Sequence, residues 1–204
     1  MAFTYFFRDL QTLEMIRDLA LPSLRTRKYI RIWDAGCAHG AEPYSLAMIL
    51  RENMGHFQFR NVTIDATDID GSNLFGDIIA KGIYPKEELQ RIPGDIFNKY
   101  FEPVAGNGDY KIIDDIRKSI EFRKHDLLSL KPLRDGYGLI LCKNVLLHFG
   151  DKERINVIKM FYKALAKGGY FITEQTQKLP QQVQDLFEQV TPKAQVWRKA
   201  DIPG

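Results

Sequence analysis

Residues 30–47 read Ile30-Arg-Ile-Trp-Asp-Ala-Gly-Cys-Ala-His-Gly-Ala-Glu-Pro-Tyr-Ser-Leu-Ala47. The stretch predicts a buried strand over 30–35, a glycine turn over 36–40 and a helix over 41–54. Glycines let the backbone approach a ligand closely, and the helix that follows offers unpaired N–H groups. The spacing differs from the Gly-x-Gly-x-x-Gly turn that holds a dinucleotide pyrophosphate. The turn therefore favours a nucleotide-like ligand without a phosphate, and the alternative is a packing turn of small residues.

Predicted strands and helices alternate on both sides of this stretch, which favours a parallel sheet covered on both faces. Asp9 is the candidate N-cap of a first helix over 9–20, and Pro22 is expected to end that helix or to begin the loop after it. Lys167-Gly168-Gly169 predicts a helix end followed by a strand. The hydrophobic pattern predicts further strands at 61–67, 119–124, 137–142, 169–175 and 194–198, and further helices at 70–81, 151–166 and 181–189.

Residues 82–118 interrupt this alternation. They contain two short amphipathic segments at 86–91 and 95–101, a glycine turn at 106–108 and a short strand at 110–113. We interpret them as a small insertion in a single domain spanning 1–204, in which residues 1–29 form an N-terminal segment and helix.

The composition fits one soluble globular domain of 204 residues. Cys37 and Cys142 lie in apolar contexts without metal-ligand spacing, which favours reduced thiols in a cytoplasmic protein over a disulfide or a zinc site. We expect no signal peptide and no direct membrane insertion, because no apolar stretch approaches bilayer length. A net charge of +3 gives no case for a nucleic-acid partner.

Polar side chains follow apolar runs at four successive strand ends, beginning with Asp34. Asp68 ends the second strand, where a carboxylate can accept hydrogen bonds from both ribose hydroxyls. The alternative for Asp68 is an N-cap for the next helix, although Asp70 is also available for that. Asp126-Leu127 follows the third strand, where an acceptor would meet an adenine amino group, and Asn144 follows the fourth.

These residues belong to segments that resemble the chemotaxis receptor methyltransferase (CheR) family, which methylates glutamate side chains of chemoreceptors with S-adenosylmethionine. The matching segments occur in family order along nearly the whole chain: Thr4-Tyr-Phe-Phe-Arg-Asp9, Ile32-Trp-Asp-Ala-Gly-Cys37, Glu42-Pro-Tyr-Ser-Leu-Ala47, Ala66-Thr-Asp-Ile69, Gly82-Ile-Tyr84, Asp126-Leu-Leu128, Cys142-Lys-Asn-Val-Leu146 and Lys167-Gly-Gly169.

The resemblance implies an α/β fold of the doubly wound, Rossmann-like class I methyltransferase type. Its sheet would be mostly parallel with an antiparallel final strand, and 82–118 would form a small inserted β-subdomain, which in some members docks a receptor tail peptide. The implied cofactor is S-adenosylmethionine, with S-adenosylhomocysteine as product. The implied partner is a protein substrate, with the cytoplasmic region of a chemoreceptor as the candidate.

The resemblance also implies roles for individual residues. Thr4 and Arg8 would border the cofactor and the active site, and Gly36 would approach the cofactor. Glu42 would bind the methionyl end of the cofactor, Asp68 would bind the ribose, and Asp126 and Leu127 would bind the adenine. Lys143 and Asn144 would line the pocket near the point of methyl transfer.

The chain departs from the family pattern in several places. Members usually carry a helical domain before the Phe-Phe-Arg segment, whereas this sequence starts almost at that segment. The usual Tyr of a Tyr-Phe pair is replaced by His148, and the usual Asn of Asn-Leu-Leu by Asp126. Two alternatives to receptor methylation therefore stay open: a cofactor-binding sensor or partner-binding module without transferase activity, and a small-molecule methyltransferase.

Arg8 and His148 are the candidates for acting on the acceptor. A glutamate, with a reference pKa of about 4.3, is ionised at neutral pH and needs no general base. Arg8 can orient such a carboxylate through its planar fork, and the alternative is that it pairs with the cofactor's carboxylate or a surface acid. His148 can orient the acceptor, act as base for an alcohol or amine, or have no chemical role. We interpret His56 and His125 as surface residues.

Overall fold

Ten strands form two separate sheets within residues 4–106 and 108–201, the part of the chain that the computed structural model describes. The larger sheet contains β1 (Ile30–Ala35), β2 (Val62–Asp68), β6 (Ile120–Lys124), β7 (Tyr137–Leu141), β8 (Leu165–Ile172), β9 (Phe187–Gln189) and β10 (Val196–Lys199). The smaller sheet contains β3 (Ile83–Pro85), β4 (Phe101–Pro103) and β5 (Asp109–Ile112).

The larger sheet has the strand order β6-β2-β1-β7-β8-β10-β9. Its first five strands in this order pair in parallel, and β10 runs antiparallel to β8 and β9. The predicted antiparallel final strand is therefore confirmed. The chain order reverses between β1 and β7, so the crevice for a ligand is expected beyond the carboxyl ends of these two strands.

The α-helices of the described residues are α1 (Leu10–Met15), α2 (Leu21–Leu24), α3 (Ala41–Met54), α4 (His56–Phe59), α5 (Phe75–Lys81), α6 (Gly94–Tyr100), α7 (Asp114–Arg117), α8 (Asp151–Ala164) and α9 (Gln181–Gln184). Helices α3 and α8 contribute to separate apolar cores, whereas α6 contacts β4 of the smaller sheet. Successive residues of β1 enter different cores: Ile32 packs into one apolar cluster and Trp33 into the other. Burial on both faces explains why β1 reads as a nearly continuous apolar run.

The predicted bounds of β1 and α3 are confirmed to the residue. Asp9 caps α1 as expected, because its carboxylate accepts the Thr12 N–H. Pro22 does not end the helical segment, and that prediction was wrong. A π-helical turn over Ile16–Ala20 leads directly into α2. Pro22 lies in the first turn of α2, where a proline is tolerated because the backbone N–H groups of a first turn have no partner within the helix.

The helices predicted at 70–81, 151–166 and 181–189 have different bounds, and the strands predicted at 169–175 and 194–198 run over Leu165–Ile172 and Val196–Lys199. The helix predicted over 70–81 begins at Phe75, since Asp70 folds into a turn with positive φ. The helix predicted over 151–166 ends at Ala164, and β8 already includes Lys167 and Gly168. The helix predicted over 181–189 stops at Gln184, and 187–189 forms the edge strand β9 on β10.

The small sheet has the order β3-β5-β4 and is antiparallel throughout. The boundaries 82–118 and 1–29 stay predictions. Within the described ranges, none of the helices combines the length and apolar character needed to cross a bilayer.

Candidate functional site

A cavity of about 610 Å³ lies beyond the carboxyl ends of β1, β2, β6 and β7. All ten residues proposed from the sequence are among those that line it: Thr4, Arg8, Gly36, Glu42, Asp68, Asp126, Leu127, Lys143, Asn144 and His148. They come from five separate stretches of the chain, at 4–8, 36–42, 68, 126–127 and 143–148, and the fold brings them together beside the strand-order reversal. Their individual roles stay predictions.

The glycine turn forms one wall of the cavity. The Gly36 and Cys37 N–H groups donate to the Thr67 carbonyl at 2.7 and 3.0 Å, which fixes the turn to β2. Gly36 has φ +104°, and a Cβ there would lie 2.1 Å from Cγ2 of Val145, another lining residue. The turn therefore requires glycine for both conformation and space.

Asp68 joins this turn to the end of β2. Its Oδ2 accepts the Ala38 N–H at 2.9 Å, and its Oδ1 accepts the Asp70 N–H at 3.1 Å. The alternative role, capping the next helix, belongs to Asp70, whose carboxylate accepts N–H groups of Leu74 and Phe75. The Asp68 carboxylate is thus held at the cavity by the backbone.

Lys143 is a buried cation at the centre of the site. Its side chain is 2% exposed, and Nζ lies 2.9 Å from Glu42 Oε2 and 3.4 Å from Asp9 Oδ2. Burial acts to lower the pKa of Lys143, but the Glu42 and Asp9 carboxylates outweigh it and raise that pKa. Lys143 therefore stays charged and orients Glu42. The sequence did not identify Asp9 as part of this network.

Asp34, a strand-end acid to which no role was assigned from the sequence, lies close to Glu42 and Lys143. It is fully buried at the end of β1, and neither carboxylate oxygen has a hydrogen-bond partner among the described residues. Burial, followed by the nearby Glu42 carboxylate, raises the pKa of Asp34 well above its ordinary value, while Lys143 opposes the shift. The available signal was an acid inside an apolar strand directly before the glycine turn.

Glu174, which lies just after β8, forms a hydrogen bond with the backbone of Asn144. Its side chain is buried, and Oε2 accepts the Asn144 backbone N–H at 3.0 Å. Asn144 has φ +57°, a left-handed conformation that asparagine adopts more readily than most residues. Glu174 thereby fixes the loop that carries Lys143 and Asn144, a role that no local pattern indicated.

The N-terminal segment closes another side of the cavity. The Phe7 N–H donates to Ser45 Oγ of α3 at 2.8 Å, and this buried bond anchors the segment that carries Thr4 and Arg8. His148 is exposed and ends a short 3₁₀ turn at the cavity wall.

The interpretation of His125 as an ordinary surface residue was wrong. It lines the cavity, its ring contacts that of Trp33 edge-on at 5.7 Å, and its Nε2 is buried without a partner among the described residues. Burial lowers the pKa of His125, although Asp126 opposes this. By contrast, His56 is half exposed and faces Asp115.

Comparison with known proteins assigns the domain to a family. Residues 2–196 match the sequence profile described as "CheR methyltransferase, SAM binding domain". The chain belongs to this family. It is 34% identical over 171 residues to chemotaxis protein methyltransferase 2 of Vibrio cholerae, covering 81% of this chain and 58% of that protein. It is 33% identical over 177 residues to a chemotaxis protein methyltransferase of Borreliella burgdorferi, covering 83% and 62%. The chain therefore spans about three fifths of the length of these relatives.

Family membership confirms the expected fold class and S-adenosylmethionine as the cofactor. The residues of the cavity fit this group, which combines an ammonium, a sulfonium, a ribose and an adenine. The carboxylates of Glu42 and Asp68 line the cavity, where a cationic ligand with ribose hydroxyls needs them. Leu127, Leu128 and Ile69 add the apolar surface that an adenine ring requires.

Proposed function

We propose that this protein, acting in the cytoplasm, transfers a methyl group from S-adenosylmethionine to a glutamate carboxylate of a protein, with a chemoreceptor cytoplasmic region as the substrate. The observation that carries the proposal is that Arg8 and His148 line the same cavity as the residues proposed for the cofactor. Membership of the CheR family supports the reaction, and the buried unpaired thiols of Cys37 and Cys142 support a reducing compartment.

Glu42, Asp68 and Asp126 would hold the cofactor's ammonium, ribose and adenine, and Lys143 would keep Glu42 in position. When bound, the cofactor supplies a methyl group on a sulfonium, so that a C–O bond forms as the S–C bond breaks. Arg8 would orient the ionised acceptor carboxylate, which needs no base. His148 would add a hydrogen bond at the exposed side of the cavity. Positioning of this kind can contribute effective molarities of about 10⁵ M or more.

Incubation with labelled S-adenosylmethionine and chemoreceptor cytoplasmic fragments tests the proposal. Base-labile label in the fragment is the expected result, because carboxyl methyl esters hydrolyse in base. Tight cofactor binding without transfer to any acceptor would contradict the proposal and favour a cofactor-binding sensor. Transfer to a small molecule alone would favour a small-molecule methyltransferase. Arg8→Ala should lower transfer strongly, while Arg8→Lys should restore only part of it because lysine lacks the planar fork.

A further inference from the structure

Arg91 is an exposed cation that the inserted segment holds beside the cavity. Its Cζ lies 4.1 Å from the centre of the Tyr5 ring, well within cation–π range. Tyr5 follows Thr4 in the segment that forms one side of the cavity, and Thr4 and Arg8 both line that cavity. The contact thus joins two parts of the chain that are far apart in sequence, at the edge of the site.

Arg8 contacts the same ring, with its Cζ 5.7 Å from the Tyr5 centroid. Because the Cζ atoms of Arg8 and Arg91 lie 5.7 and 4.1 Å from the same ring centre, the distance between the two guanidinium groups is at most about 10 Å. This distance is roughly one Debye length at 0.1 M salt. Their potentials therefore add at this edge of the cavity.

The charge of Arg91 is not used in an ion pair with any acid in the described part of the chain. Glu88, three residues earlier, faces His39 instead, with Oε2 at 3.8 Å from Nδ1. The contact with the Tyr5 ring holds the guanidinium in place, and the residue remains exposed to solvent. An exposed arginine held in this way can meet an anionic partner without losing much side-chain entropy.

The cavity and its edge differ in charge. The cavity is lined by the carboxylates of Glu42 and Asp68, with the Lys143 ammonium paired to Glu42, whereas the edge formed by the N-terminal and inserted segments carries Arg8 and Arg91. A basic edge attracts an anionic acceptor and steers its approach.

We propose that Arg91, held on the ring of Tyr5, is a specificity-determining residue that acts with Arg8 to select an acceptor surface rich in carboxylates. The inference rests on the proposed function in assigning this edge to the acceptor. It adds a residue outside the cavity lining and links the inserted segment to acceptor choice.

The test measures binding rather than transfer. A helical peptide rich in glutamate and its Glu→Gln counterpart, each with a neutral fluorophore, are titrated by anisotropy with protein saturated in S-adenosylhomocysteine. The wild type should prefer the glutamate peptide. Arg91→Met should weaken binding of that peptide by up to about fivefold, and Arg91→Glu by more, while affinity for the glutamine peptide stays unchanged. Arg91→Lys should retain most of the preference.

Lys28→Glu is the matched control, because Lys28 is also an exposed cation on a tyrosine, 5.4 Å from the Tyr29 ring, but precedes β1 at the opposite end of the sheet. Equal peptide affinities in the wild type, or an equal loss in Arg91→Glu and Lys28→Glu, would overturn the inference. Methyl transfer to receptor fragments is scored separately. An Arg91-dependent preference without transfer would refute the proposed function alone, and transfer without that preference would refute this inference alone.

Discussion

Asp34 is a residue whose burial has a measurable consequence for stability. Because burial raises its pKa in the folded protein, the native state keeps a proton that the unfolded chain releases near its ordinary pKa of about 3.9. Stability therefore falls as pH rises from about 4 toward the folded-state pKa, and the penalty is present at neutral pH. We expect Asp34→Asn to raise the melting temperature at pH 7–8 by a few degrees, because a neutral amide does not have to take up a proton when it is buried on folding.

The difference in melting temperature between Asp34→Asn and the wild type should shrink as pH approaches 4. Comparing the two proteins at each pH removes the contribution of every other titrating group. A difference that is constant from pH 4 to pH 8 would show that Asp34 titrates normally and would contradict its burial as an acid.

Asp68 is the residue whose loss should affect the cofactor most directly. Asp68→Ala removes the carboxylate proposed for the ribose and also releases the Ala38 N–H of the glycine turn. We expect cofactor affinity, measured by calorimetry, to fall by about tenfold or more, as loss of a charge-assisted hydrogen bond predicts. Asp70→Ala should instead destabilise the start of α5 with little change in affinity. Unchanged affinity in Asp68→Ala would contradict the ribose assignment.

The turn between β1 and α3 is the element in which a single substitution should be most destabilising. Gly36→Ala would combine an unfavourable φ with a Cβ driven into Val145, so we expect a loss of more than about 2 kcal/mol in the free energy of unfolding. Gly55→Ala is the control, because Gly55 has φ +77° but no atom within 4 Å of an added Cβ. It should cost about 1–3 kcal/mol, the conformational part alone, because ψ 166° places Gly55 in a region essentially confined to glycine, and it should cost less than Gly36→Ala. Equal losses in urea denaturation would exclude the steric effect of Val145.

Elements with a strong local pattern were predictable from the sequence, whereas those that depend on distant partners were not. β1 and α3 carry their apolar periodicity and glycine turn within 25 residues, and their bounds were predicted correctly. The 187–189 segment has a helical pattern, but pairing with β10 makes it a strand. Likewise, no local pattern could show that Glu174 supports Asn144 across 30 residues, or that His125 folds against Trp33.

At the scale of the whole molecule, Tyr84 connects the small sheet to the cofactor turn. Tyr84 lies in β3 and is buried, its hydroxyl donates to the His39 carbonyl at 2.7 Å, and its ring meets Phe6 edge-on at 4.9 Å. Cofactor binding at the turn should therefore slow hydrogen exchange in β3 and β5 as well as in β1.

Tyr84→Phe should remove the effect of the cofactor on exchange in the small sheet while its effect at β1 remains. The variant should also lose about 1 kcal/mol of stability, because it leaves the partly buried His39 carbonyl without this donor. Tyr44→Phe is the matched control, since the Tyr44 hydroxyl donates to the Ile79 carbonyl at 2.6 Å and is equally buried. It should cost similar stability but preserve the coupling. If the hydrogen-exchange rates of β3 and β5 in the wild type do not change when the cofactor binds, the two sheets respond independently. The coupling between the glycine turn and the inserted segment would then be refuted.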